Sequence, residues 1–530
     1  MISGAYDYMT HSLENKYIAF FDNPHTRRAL FWLILALGVL ARLVRLGAVP
    51  DGINQDEAFA AYEAFSLLNY GIDTAGYHNP VYLIAWGSGM NALETYLMMP
   101  FIALFGLEVW AVRLPQALVA CLSLPAVYGL VRRTVNERAG LMAMLMLAVC
   151  PWHIIMSRWG LESNLAPGFL LFGLYFFVLG TENARFLPLS ALMYGLSLYA
   201  YATIWPFVPL MLAVQVAYCA CRGKLRLDRH AVFSVLILFV LALPLLLFLA
   251  VNYGWIDEII TPYFSVPKLY YMRSGDLSLD EKARKLEIFK QIFIEQNDGW
   301  IYSSPDKYGL FYYTSMPFAL LGLVFCVREL LRAHKSRAYC PAALLLVQLV
   351  VCLPLLLLIK GNATKFNVFF IPLVILIALG VHYVSCFSWR PAAGMLAAAY
   401  LVLFAGFESY YFTEYEVKTR EHFSAGLEDA LELAEQKGER IYLDQNEFYT
   451  KVLFYTQTPV TDFRESVEYL HFPTSYLHAL SFDNYYFWLD PYAPDPQGAY
   501  IIPQGNPLGA LPASDYKFEQ IGIYTVAYKD

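Results

Sequence analysis

Charge is scarce in this chain. Of its 530 residues 15% are charged and 58% are hydrophobic, whereas ordinary soluble domains carry roughly 25% charged residues. The deficit is also clustered, which argues against a soluble enzyme. No Asp, Glu, Lys or Arg occurs in Ala139–Ser157, Ser163–Thr181, Phe186–Cys221, Tyr308–Val327, Ala338–Ile359 or Phe366–Trp389. A helix needs about 20 apolar residues to cross the hydrocarbon core. A polytopic α-helical membrane protein is the class these runs predict.

Other absences narrow the function. The eight cysteines all lie in or beside apolar runs, so neither a disulfide framework nor a Cys-based zinc site is indicated. No G-x-x-x-x-G-K-[ST] loop, G-x-G-x-x-G turn or G-x-S-x-G elbow occurs, so nucleotide-driven transport and serine-hydrolase chemistry lack support. Residues 413–530 hold 19 acidic and 8 basic residues. That tail lacks the clustered cations with which a protein displaces counterions from nucleic acid.

Eleven spans are predicted near 29–49, 114–131, 139–157, 163–181, 186–203, 204–221, 231–251, 309–327, 338–359, 366–387 and 391–412. With eleven, the clusters Arg27-Arg28, Arg132-Arg133, Arg222–Arg229, Arg328–Arg337 and Arg390 all fall on the cytoplasmic side, as the positive-inside rule requires. Thr95–Leu107, charge-free but only 13 residues long, is expected to lie flat at the outer surface. The N-terminus, residues 1–28, is then cytoplasmic, and Ala29–Pro50 is an anchor, not a cleaved signal. The outer segments 51–113 and 252–308 are long. The second carries a capping-box pattern, Ser278-Leu279-Asp280-Glu281, ahead of an amphipathic stretch. The tail, 413–530, alternates a helical stretch at Phe423–Gln436 with strand-like runs at Arg440–Leu443, Tyr485–Leu489, Ala499–Ile502 and Ile521–Tyr528, predicting a small extracytoplasmic α/β domain.

Against so little charge, a few ionisable residues stand out. Asp56 and Glu57 are adjacent just beyond the first span; they could be solvated acids at a helix start or the acids of a site. Arg42, Arg158, Lys360 and Lys365 sit at the expected outer face, where short loops should be poor in cations. Snorkelling toward lipid phosphates accounts for the lysines as well as a site does, whereas ionisable residues at the hydrocarbon boundary usually mark function. Glu162 follows Arg158, and His78, Asn79 and His153 share the face. A divalent ion held by Asp56, Glu57 or Glu162 is conceivable in charge terms, but no H-x-x-x-H or comparable spacing supports one. Carboxylates beside cations suit an anionic lipid head group with a base next to it.

In order along the chain, the Asp56-Glu57 pair, His78-Asn79-Pro80, Leu104-Phe105-Gly106, Ala111-Val112-Arg113-Leu114-Pro115 and Pro151-Trp152-His153 leading to Ser157-Arg158 resemble the C-type (GT-C) membrane glycosyltransferases. The branch is glycosyltransferase family 39, the protein O-mannosyltransferase and aminoarabinose-transferase-like group, and the resemblance covers roughly residues 29–412. It implies a GT-C fold in the plasma membrane, a polyprenyl-phosphate sugar donor, a hydroxyl-bearing envelope acceptor (protein, polysaccharide or glycolipid) and inversion at the anomeric carbon. By motif it makes Asp56 the general base, with Glu57 orienting the acceptor and Glu162 in the second outer loop, where several relatives carry Asp. Arg158, Lys360, Lys365 and Arg42 would meet the donor phosphate, and His78, Asn79 and His153 the acceptor or sugar. No cofactor is required. The alternative is a flippase or transporter of a lipid-linked sugar, and a scaffold with an acidic docking tail is a third reading.

Overall fold

The computed structural model describes residues 23–271, 287–358, 361–387, 391–474, 476–488, 494–505, 511–512 and 514–529. Lys360 and the capping-box pattern at 278–281 lie outside them. Among the described residues six helices are long and apolar enough to cross a membrane: Val109–Thr134, Glu162–Glu182, Arg229–Asn252, Tyr313–Lys335, Ala363–Val384 and Ala392–Phe423. The other predicted stretches form helices that are shorter, interrupted or, at Pro24–Leu43, 20 residues long but carrying Arg27, Arg28 and Arg42, so six of the expected eleven qualify as spans on their own. Pro24–Leu43 occupies the first stretch, and Leu187–Ser197, Phe207–Cys221 and Ala342–Leu358 three others.

The stretch 139–157 shows why. Its helix runs Glu137–Ala148, stops, and restarts as Pro151–Met156 with proline at the first turn. Pro151 has no N–H to continue the ladder, and the carbonyls freed at the break must be satisfied because lipid offers no donors. They are satisfied from two directions. The Tyr312 hydroxyl donates to Val149 O at 2.7 Å. The Arg42 guanidinium donates to Leu147 O at 2.9 Å and Ala148 O at 3.1 Å.

On one side of the helical body stand the loops and the tail. A short hairpin, β1 (Tyr82–Leu83) with β2 (Met90–Asn91), leads into the 13-residue helix Leu93–Phe105, too short to cross the hydrocarbon core at 1.5 Å per residue. A second hairpin, β3 (Ile259–Ile260) with β4 (Ser265–Val266), joins the first loop through a bridge between Pro80 and Ser265. The tail folds as a seven-stranded mixed sheet of β5 (Arg440–Leu443), β6 (Glu468–Tyr469), β7 (Ala479–Phe482), β8 (Tyr485–Tyr486), β9 (Gly498–Pro503), β10 (Lys517–Ile521) and β11 (Tyr524–Tyr528). Its strand order is β10-β11-β9-β5-β8-β7-β6, with β5 parallel to both neighbours.

The tail is not separate from the body. One hydrophobic core takes Ile53, Phe59, Tyr62, Leu83 and Trp86 from the first loop together with Leu431, Ile441, Leu453, Phe482 and Val526 from the tail. The helix Gln55–Tyr70 requires this, because Ala58 through Tyr62 are buried in succession and an all-round apolar helix must be covered on several sides. The boundary expected at 412/413 falls inside a continuous rod: Ala392–Tyr410 passes through a π-turn, Tyr411–Tyr415, into Glu416–Phe423.

Candidate active site

The site begins with a helix start. Asn54 caps the helix Gln55–Tyr70: its side chain accepts from Asp56 N at 3.1 Å, and Glu57 at the third position reaches back to the Asn54 N–H. This capping box settles which way the two acids face. Glu57 turns inward and is fully buried. Arg113 meets it with Nε to Oε1 at 2.9 Å and Nη2 to Oε2 at 3.1 Å, and Gly160 N donates to Oε1 at 2.9 Å. The remaining Arg113 donors go to the carbonyls of Leu46, Pro50 and Gly52. Glu57 therefore locks the loop, while Asp56 stays only partly buried.

Asp56 Oδ1 accepts from Trp86 Nε1 at 3.1 Å. Trp86, held at φ 56°, stacks on Tyr476 of the tail with ring centroids 5.3 Å apart and meets Phe448 and Tyr449 edge-on. The loop itself passes so close to the rod that a Cβ at Gly52 (φ +84°) would lie 2.0 Å from Phe423 O, and only glycine fits. The tail reaches the same spot directly: Thr450 Oγ1 donates to Gln55 O at 3.3 Å.

Glu162 opens the span Glu162–Glu182 and takes a very short hydrogen bond from Asn91 N at the end of β2. One turn on, Glu94 is fully buried with neither carboxyl oxygen hydrogen-bonded. Burial, with Glu57 and Glu162 close by, pushes its carboxyl well above the ordinary value. Glu94, Asn91, Arg113 and Trp86 were not singled out in the sequence as site residues. The signal for Glu94 was available, since it is a lone acid immediately before the charge-free run Thr95–Leu107. Asn54-x-x-Glu57 was equally legible as a helix start.

The other residues named from the sequence bond chiefly to the protein's own backbone. Arg158 is fully buried and directs its guanidinium to the backbone: Nε and Nη2 to Val49 O, Nη1 to the carbonyls of Ala41 and Arg42, and Nη2 to Arg45 O, all between 2.9 and 3.2 Å. These carbonyls lie in the last turn of the helix Pro24–Leu43 and just beyond it, where a helix leaves backbone acceptors to be satisfied. Arg42, likewise buried, bonds the carbonyls of Gly38, Leu147 and Ala148 and approaches His153 Nδ1 at 2.6 Å. Both arginines direct their guanidinium groups to backbone carbonyls, and His153 is enclosed with Arg42. They break the charge rule because they cap helix ends inside the protein. His78 Nδ1 pairs with Gly71 O at 2.8 Å and Asn79 Nδ2 donates to Tyr263 O at 3.0 Å, so both hold the loops together. Lys365 lies partly buried in a short helix, Ala363–Phe366, capped by Asn362. Among the described residues no three His, Cys, Asp or Glu side chains gather closely enough to hold a metal ion.

Comparison with known proteins identifies the fold. Residues 93–248 match the model of the family described as dolichyl-phosphate-mannose-protein mannosyltransferase. The structure of ArnT from Cupriavidus metallidurans in the apo state superposes with a TM-score of 0.51 at 15% identity, covering 81% of this chain and 84% of that one. The fold is the GT-C fold. The same ArnT bound to undecaprenyl phosphate gives a TM-score of 0.50 at 15% identity over 93% of this chain and 97% of that one. The Archaeoglobus fulgidus oligosaccharyltransferase in complex with Zn and sulfate gives 0.51 at 12% identity, over 81% of this chain but only 61% of the longer relative. No curated protein sequence matches the chain. The GT-C fold expected from the loop motifs is thus the one observed, with a sheet-bearing tail after the helices.

Proposed function

We propose that this chain is an inverting membrane glycosyltransferase that moves a sugar from a polyprenyl-phosphate donor to a hydroxyl acceptor at the extracytoplasmic face of the plasma membrane. The observation that carries the reading is the divided role of the adjacent acids: Glu57 is consumed by Arg113, whereas Asp56 is presented at the helix start by Trp86. The mannosyltransferase family match and the fold shared with ArnT support it.

In this reading Asp56 accepts the acceptor's hydroxyl proton as the oxygen attacks the anomeric carbon. The bond from that carbon to the phosphate oxygen breaks on the opposite face, and the polyprenyl phosphate leaves with the electron pair. A positioned base of this kind contributes about 10²–10⁴-fold. Lys365, with Lys360 before it, supplies positive charge for the departing phosphate. The donor bond carries the free energy, so no nucleotide takes part.

Purified protein in detergent, given undecaprenyl phosphate bearing a radiolabelled sugar and a hydroxyl acceptor, should transfer label. Asp56→Asn should lose at least ~10²-fold in rate with an unchanged melting temperature. Undiminished transfer in that variant refutes the base assignment, and label that crosses vesicle leaflets without transfer refutes the enzyme.

A further inference from the structure

Far from Asp56, the helices Pro24–Leu43 and Val109–Thr134 border a cavity of about 450 Å³. Arg132 on its wall follows Arg113 by 19 residues along one helix, roughly 28 Å at 1.5 Å per residue. Arg113 holds Glu57 beside Asp56. The cavity therefore stands about one hydrocarbon thickness from the two acids, at the head-group level of the opposite leaflet.

Four arginines mark these two helix ends, and their partners differ. Arg27 pairs with Glu137 at 2.8 Å, and Arg133 with Glu182 at 3.6 Å. Arg28 and Arg132, both exposed, line the cavity with no ion pair among the described residues. Arg132 rests over the Tyr128 ring, 5.8 Å from its centroid. The orientation rule explains arginines at this end, but not why the two without carboxylates border the same interhelical cavity.

The apolar side indicates the occupant. Trp32, which also lines the cavity, and Leu33 are 59% and 65% exposed and continue from the basic turn toward the middle of the helix. At that depth the neighbours are acyl chains. An indole beside guanidinium groups between membrane helices is the setting in which anionic lipid heads are held, whereas a soluble anion would leave Trp32 without a role. Glu137 separates the lipid classes. Its carboxylate is occupied by Arg27 and by the Tyr128 hydroxyl at 3.2 Å, so it does not call for the ammonium of a zwitterionic lipid. The charge left over is that of two arginines.

We infer that this cavity binds the phosphodiester head group of an anionic phospholipid in the leaflet opposite Asp56, with Arg28 and Arg132 on the phosphate and the acyl chains along Trp32 and Leu33. The site is independent of the transfer chemistry. A lipid held there braces Pro24–Leu43, which carries Arg42, against Val109–Thr134, which carries Arg113.

Full-length protein in detergent, followed by native mass spectrometry, should retain phosphatidylglycerol in preference to phosphatidylcholine with the same acyl chains. Arg28→Gln and Arg132→Gln should each cut that preference about fivefold, and Arg28→Lys and Arg132→Lys should keep most of it. Arg226→Gln, which removes an exposed arginine outside the cavity, should leave it unchanged. The preference is a ratio measured on one folded species, so a loss of stability does not mimic its loss. Equal retention of the two lipids by wild type, an unchanged ratio in both glutamine variants, or an equal loss in Arg226→Gln overturns the inference. Displacement of phosphatidylglycerol by glycerol phosphate at equal concentration would assign the cavity to a soluble anion. Tighter retention of undecaprenyl phosphate, lost in the same two variants, would assign it to the carrier lipid; either result also overturns the inference.

Discussion

Arg113 grips Glu57 through two hydrogen bonds of 2.9 and 3.1 Å, with both side chains shut away from solvent. The pair joins the helix Val109–Thr134 to the capping box of Gln55–Tyr70, and so fixes the residue next to Asp56. Removing one partner strands a buried charge, which typically costs about 3–5 kcal/mol. Arg113→Met should therefore lower the melting temperature sharply and abolish transfer. The double variant Arg113→Met, Glu57→Gln should regain part of the stability, a recovery that thermal melts of all three proteins would measure.

Arg158 predicts a different outcome from a phosphate-binding arginine. Lysine keeps the charge but cannot fork to four carbonyls. Arg158→Lys should destabilise by about 2–4 kcal/mol, with charged-group hydrogen bonds worth roughly 1.5–3 kcal/mol each before partial replacement. The folded fraction should still bind undecaprenyl phosphate with little change, as titration of the detergent-solubilised variant would show. A large loss of affinity without loss of stability would return Arg158 to the donor site.

Trp86 contributes one N–H to Asp56 and one ring face to Tyr476. Trp86→Phe keeps most of the stack and deletes the hydrogen bond. Transfer should fall about tenfold, the scale of one lost charged-acceptor hydrogen bond, with the melting temperature nearly unchanged. Steady-state rates alongside a melt distinguish this from a packing defect.

The seam between the first loop and the tail holds a buried acid pair. Burial pushes the Glu63 carboxyl up to about 8, with Asp73 adding to it, and the Asp73 carboxyl up to about 6. Both values exceed those of an unfolded chain, so the folded state binds more protons there. The stability contributed is full below the unfolded pKa and is lost as pH rises through the folded one. Melting temperature should therefore decline from pH 5 to pH 9 as the pair ionises. Glu63→Gln should flatten that decline; an unchanged slope would exclude the pair as its source.

Cutting the chain after Phe423 should not yield a membrane body awaiting its acceptor domain. The tail shares its core with Ile53, Phe59 and Tyr62, so the truncation exposes those residues. Aggregation in size-exclusion chromatography is the expected result, and a monodisperse, folded truncation would contradict it.

Periodicity and charge carried the reading a long way. Long charge-free runs became helices, the alternating tail became a mixed sheet, and loop motifs indicated the fold that superposition then displayed. Two things were beyond that reach. Arg42 and Arg158 were sensed as anomalies, but a linear sequence does not say whether a buried cation faces a ligand or a carbonyl; that depends on where Pro151 breaks its helix and which backbone groups are freed. Glu94 was overlooked for the opposite reason. It lies at the edge of an apolar run, and its isolation becomes conspicuous only when the folded chain brings Glu57 and Glu162 beside it without supplying a partner.

The core shared between the first loop and the tail also sets a timetable. Phe59 and Tyr62 emerge early, whereas Leu453 and Val526, which cover them, lie about 400 residues later. At roughly 5–20 residues per second, the ribosome needs on the order of 20–80 s to supply that cover. For this interval the Gln55–Tyr70 helix stands with an uncovered apolar flank, so a newborn chain depends on a holding factor or on the adjacent lipid surface until its last strands arrive.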